Sequence, residues 1–117
     1  MHATLQRHFE DALRGARAAE KAGALARAWE HLERAHVLSQ AHALPHVQVH
    51  ARMFGFALRR MDLRELVGQL PRLLLAAPGS WTGRAPRGNT GGARVGIFTP
   101  MPIPEDLQRL LEEGAEQ

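Results

Sequence analysis

Five of the seven histidines in this 117-residue chain fall within 20 residues, at His31, His36, His42, His46 and His50. An imidazole can serve as a nitrogen ligand, a proton carrier, or a core polar group that needs a partner. Spacing sorts these roles. His36 lies four residues after Leu32 and seven after Trp29, so on a helix it projects with them toward the core. Glu33 precedes it by three, a Glu-x-x-His pair of the kind that ligates metals inside helical bundles. His46 and His50 are four apart, and His50 leads into an apolar face of Met53, Phe54 and Ala57. Two imidazoles at i and i+4 can present nitrogens to one ion at about 2.0–2.1 Å.

The elements that must position these groups follow from periodicity. Residues 3–22 return apolar side chains at Leu5, Phe9, Ala12, Leu13 and Ala16, a helical spacing that Gly23 ends. A second helix is expected from about Ala24 to Ser39. "QAHALP" connects it to a third, from about Pro45 to Met61, with Pro45 in the first turn where its missing N–H costs nothing. Asp62 and Glu65 make a capping-box-like start to a fourth helix, carried on by Leu63, Leu66, Val67 and Leu70. Pro71 should kink or split it before "RLLLAAPG". A short connection makes helices two and three antiparallel neighbours, so Glu33 and His36 should meet His46 and His50 at one end of the bundle.

From residue 78 the composition shifts to glycine and proline, and an irregular wrap is expected over 78–104, with a short strand at Arg94–Thr99. Trp81 and Phe98 would anchor that wrap in the core. Glu105–Glu113 reads as a last short helix. The fold class is therefore all-α: one domain over 1–117, a four-helix bundle (3–77) of two tetratricopeptide-like hairpins, the wrap, and a C-terminal helix. Two hairpins fall short of the three repeats a solenoid normally needs.

Composition closes off several functions. Without cysteine there are no disulfides, thiolate nucleophiles or Cys-based zinc patterns, so any metal must sit on nitrogen and oxygen. Imidazole and carboxylate suit Zn²⁺, Ni²⁺, Fe²⁺ or Mn²⁺. The pI of about 10.9 exaggerates a net charge of only +3. Arg14, Arg17, Arg27 and Arg34 alternate with Glu10, Asp11, Glu20, Glu30 and Glu33. This is a mixed-sign surface, and nucleic acid is not the expected partner. No apolar run is long enough to cross a membrane and no secretory signal is seen, so a cytoplasmic, bacterial protein is expected.

Around the central cluster, His42 lies in the connection and is a further contacting residue, while His2, His8 and His31 are expected at the surface. In "RGNTGGARV", residues 87–95, Asn89 and Thr90 could support the histidines from behind. The glycines there could instead form an anion nest beside Arg84, Arg87 and Arg94, although no P-loop or dinucleotide fingerprint is present. If the protein is an enzyme, Glu30 or Glu33 is the candidate base.

The strings "HLERAHVLSQ", "HVQVHARM", "GQ" at 68–69, "GNTGGARV" and "PMPIP", in this order, resemble a small bacterial family catalogued as domain of unknown function 3703. The resemblance runs from about Trp29 to Leu111. It carries no activity across. It implies that Glu33, His36, His46, His50 and the "GNTGG" turn belong to the family's shared pattern.

Two functions compete on this reading. One is a divalent transition-metal site on Glu33, His36, His46 and His50, for metal handling or metal-assisted chemistry. The alternative is a tetratricopeptide-like interaction module whose histidines are structural, with a protein partner. A homodimer is compatible with either.

Overall fold

A computed structural model describes every residue except 84, 94, 98 and 117, and of 114–116 the backbone alone. It holds five helices: α1 Ala3–Lys21, α2 Leu25–Ser39, α3 Ala43–Arg60, α4 Leu63–Thr82 and α5 Glu105–Glu116. Among the described residues there is no strand. Of the expected Arg94–Thr99 strand, the described residues form none; Val95 N–H donates to Gly92 C=O and Thr99 N–H to Gly96 C=O instead.

α1 pairs with α2 and α3 with α4, and the two hairpins join along the α2–α3 seam. One side of the core comes from α1 (Phe9, Leu13, Ala16), α2 (Leu32, Ala35) and α3 (Val49, Met53). A second cluster, Leu5, Val37, Leu38 and Leu107, seats α5 against α1 and α2. None of the described helices is long and apolar enough to cross a membrane.

Local chemistry explains the boundaries. α3 starts two residues before Pro45, whose ring still falls within the first turn, where N–H groups have no helical acceptor. It ends at Met61 in the left-handed region (φ 55), with Asp62 N–H donating to Ala57 C=O and Met61 N–H to Leu58 C=O. Asp62 then caps α4 through its carboxylate, which accepts from Glu65 N–H at 3.1 Å.

α4 departs from expectation in its length. It passes through Pro71 and Pro78 and runs to Thr82, five residues beyond the expected end. Both prolines lie on the helix's exposed side, and Arg72 Nη1 donates to the Gly68 carbonyl within the turn around Pro71. The helix's inward face is largely polar. Glu65, Gln69, Arg72 and Ala76 are its buried residues, while Leu63, Val67, Leu70 and Leu74 face away from the bundle. Trp81 belongs to this outer face at 74% exposure and anchors nothing in the core. Phe98, its expected partner, lies outside the described residues, as do Arg84 and Arg94.

The wrap returns over the α2–α3 end of the bundle. Gln40, just past α2, fastens it: its side-chain N–H₂ donates to Pro86 C=O, and its Oε1 accepts Gly88 N–H at 3.1 Å. Asn89 organises the next turn, accepting Gly91 N–H (2.8 Å) and donating to the carbonyls of Gly96 (2.8 Å) and Thr99 (2.7 Å). Of the N–H groups in the expected anion nest, those of Gly88, Gly91 and Ala93 already have protein acceptors.

Candidate metal centre

His36 comes from the last turn of α2, and His46 and His50 from the first two turns of α3. All three are buried. Their Nε2 atoms form a near-equilateral triangle with sides of 3.0 Å (His36–His50), 3.0 Å (His36–His46) and 3.2 Å (His46–His50). The ring planes are tilted or edge-on, with centroids 4.7–4.9 Å apart, so the nitrogens converge and the rings do not stack.

The opposite nitrogen of each ring fixes its tautomer. His36 Nδ1 faces the Asn89 carbonyl at 2.6 Å, and His46 Nδ1 faces the Ala76 carbonyl at 3.1 Å. A carbonyl only accepts, so both Nδ1 atoms carry the proton. Ser80 Oγ, 2.8 Å from His46 Nδ1, gives its own proton to Gln40 C=O and is a second acceptor for that N–H. His50 Nδ1 lies 2.7 Å from Gln69 Oε1. Gln69 Nε2 donates to Glu65 Oε1 and Gly91 C=O, both at 2.8 Å, which orients the amide and leaves its oxygen for the His50 N–H. All three rings are thus Nδ1–H tautomers, and three Nε2 lone pairs face one another. Outward N–H bonds to carbonyl or amide oxygens are the usual support of ligating imidazoles.

Protons are poor company for these lone pairs. Burial holds His46 and His50 down at about 4, from an ordinary 6.5, and pushes His36 well below 6.5, with further repulsion from its two neighbours if they charge. An ion about 2.0–2.1 Å from each Nε2 would see N–metal–N angles of about 91–106°, between an octahedral face and a tetrahedron. In front of the triad opens a cavity of about 300 Å³, lined by His36, His46, His50 and Arg72 among apolar residues.

The other expected residues lie around this core. Glu33 is half-buried and outside the convergent group, whose ligand atoms lie within 4.8 Å of one another. Three residues along a helix amount to about 300° of rotation, which carries its carboxylate round toward Thr90. Burial raises its pKa, partly offset by a hydrogen bond from the Thr90 side chain. Glu30 is exposed. Asn89 reaches the triad through its backbone carbonyl. His42 precedes α3 as its N-cap and has burial-lowered basicity, without joining the triad. His8 is exposed; His2 and His31, expected at the surface, are half-buried, His31 with its ring over Gly15.

Four supporting groups escaped the sequence reading: Gln69, Glu65, Ser80 and the Ala76 carbonyl, all from α4. A signal existed. Glu65, Gln69 and Arg72 recur at helical spacing in an otherwise leucine-rich helix, marking a polar face as deliberate as the apolar one.

No curated protein and no solved structure matches the chain. The sequence pattern of the family described as "Protein of unknown function (DUF3703)" matches residues 3–111, nearly the whole chain, and the protein belongs to that family.

Proposed function

We propose that the protein binds one divalent transition-metal ion through Nε2 of His36, His46 and His50, for metal handling or metal-assisted chemistry. The observation that carries this reading is the set of three outward Nδ1–H bonds, which leaves three lone pairs 3.0–3.2 Å apart with no donor between them. Lone pairs so placed repel, and a shared cation converts that repulsion into attraction. Structural histidines, as in the interaction-module reading, would spend both ring nitrogens on protein partners; these three spend one each.

An all-imidazole set favours Zn²⁺, Ni²⁺ or Fe²⁺ over Mn²⁺, which prefers carboxylate and water. Glu33 is the fourth candidate ligand only if its side chain rotates toward the triad. Three protein ligands leave open positions on the cavity side, the arrangement of catalytic sites more than of closed structural ones. A bound ion there would act as a Lewis acid or lower the pKa of its water.

Metal analysis of protein purified without a polyhistidine tag tests the proposal. The expected result is about one ion per chain and a melting temperature raised by added Zn²⁺ or Ni²⁺, with both effects lost in the His36→Asn, His50→Asn double variant. Less than about 0.1 ion per chain with no metal-dependent melting shift overturns it.

A further inference from the structure

The triad contributes no negative charge, and its surroundings add a positive one. Arg72 is 9% exposed and lines the same cavity as His36 and His50. Two of its five N–H groups donate to the carbonyls of Gly68 (2.7 Å) and Val95 (2.6 Å). Among the described residues no carboxylate comes within 4.0 Å of its guanidinium. The nearby Glu65 carboxylate accepts from Gln69 and Ala93 N–H through one oxygen. With a divalent ion on three neutral imidazoles, the cavity would hold an excess of buried positive charge, which is costly unless an anion joins it. The rest of the wall is mostly apolar, with Leu75, Pro78, Ala85 and Ile97, interrupted by Gln40, Thr82 and Asn89. About 300 Å³ is the low end of ligand pockets.

Resting on the metal reading above, we propose that this cavity takes a small organic monocarboxylate. Its carboxylate binds the open side of the ion with Arg72 as counter-charge, and its short apolar tail lies against Leu75, Pro78 and Ile97. The test is a titration of the Co²⁺-loaded protein, followed by its visible spectrum, with acetate, butanoate and butan-1-ol. Each buried CH₂ is worth about fourfold, so butanoate should bind about 15-fold more tightly than acetate, and butanol should not compete. Arg72→Gln should weaken butanoate at least tenfold. Should that variant not fold, Leu75→Ser, at an exposed position on the cavity wall, should weaken butanoate and leave Co²⁺ affinity unchanged. Co²⁺ binding with no preference for butanoate over acetate or butanol overturns the ligand and leaves the metal site standing; absence of Co²⁺ binding removes both.

The outer face of α4 carries a second, independent inference. Leu63, Val67, Leu70, Leu74 and Trp81 are 48–77% exposed and follow one another at spacings of four, three, four and seven, a heptad seam. Exposed Leu58 and Met61 extend it across the α3–α4 turn. A contiguous apolar helix face of this length is normally covered. Seven large side chains at about 60–120 Å² each offer roughly 400–800 Å², approaching the ~800 Å² each partner contributes to a standard interface.

We infer that two copies of this chain pair through α4 in antiparallel, two-fold symmetry. Within α4 Glu65 and Arg72 face inward, so the charge this helix places beside the seam is Arg64. Antiparallel pairing sets each Arg64 at the negative, C-terminal end of the facing helix and keeps the two apart. Sedimentation of the full chain at micromolar concentration should give twice 12.9 kDa, and Val67→Glu with Leu74→Glu should give 12.9 kDa with unchanged helicity. A wild-type monomer, or a dimer that survives both substitutions, overturns the pairing.

Discussion

Replacing Gln69 with methionine isolates the outer support of the triad from its ligands. The two side chains are close in length and volume, so the packing of this fully buried position is kept. What is lost is specific: the acceptor for His50 Nδ1–H at 2.7 Å and the donor to Gly91 C=O at 2.8 Å. Glu65 Oε1 loses one donor but keeps Ala93 N–H at 2.8 Å. Two orphaned buried groups at about 1–3 kcal/mol each destabilise the metal-free protein by about 2–6 kcal/mol. His50 is also freed to exchange tautomers or turn, and loss of such outer support costs about 10–100-fold in metal affinity, or about 1.4–2.7 kcal/mol. Chelator-competition titration measures the affinity, and imidazole ¹⁵N shifts of the metal-free protein report the His50 tautomer. Gln69→Glu, which keeps an acceptor for His50, should hold the Nδ1–H tautomer that methionine loses. A folded Gln69→Met protein with wild-type metal affinity would refute the reasoning, because the convergence of lone pairs would then not depend on what lies behind the rings.

Three further outcomes are expected. Since His46 and His50 titrate at about 4 in the fold and about 6.5 when unfolded, their neutral forms contribute stability fully present above pH 6.5 and lost as pH falls toward 4. At 1.36 kcal/mol per pH unit, each is worth up to about 3 kcal/mol, so denaturant midpoints of the metal-free protein should fall steeply across that window and those of a His46→Gln, His50→Gln variant much less. Gly91→Ala would set a methyl 2.6 Å from His36 Cδ2 at a φ of +88, and should weaken metal binding at least tenfold, whereas Gly92→Ala meets Trp29 at 3.3 Å and should do far less; calorimetric titration separates them. Met61→Gly relieves a left-handed residue costing about 1–2 kcal/mol, less about 0.5–1 for glycine's freedom when unfolded. The net gain of about 0–1.5 kcal/mol should raise the melting temperature by up to about 6 °C with metal affinity unchanged.

Much of this was legible in the sequence because helical periodicity constrains a short bundle. The residues of α1 that return at helical spacing are its buried ones, and the i, i+4 pair His46–His50 with the short turn from α2 was enough to place three imidazoles together. The orientation of α4 was not legible: a helix with a leucine on almost every side has no unique apolar face, and the polar residues that support the triad decide which side turns in. The prolines misled for a related reason: a lost N–H is cheap where the freed carbonyl can reach water. Glu33 shows the limit of spacing arguments, since one residue's difference in register along α2 turns its carboxylate toward Thr90 and away from the imidazoles.

The Gln40 fastening and the Asn89 turn place the wrap's own backbone behind the rings, so His36 and Gln69 each depend on a carbonyl some 20–55 residues further along the chain. Until residues 86–91 have docked, His36 lacks the acceptor that sets its tautomer, and the two hairpins offer an incomplete chelate. The late-arriving loop thus acts as a latch: an ion should be captured at the end of folding, not at its beginning, and its release should track opening of that loop more than melting of the helices. Hydrogen exchange at Gly88 and Gly91 would therefore report the state of the metal site from a position that never touches the ion.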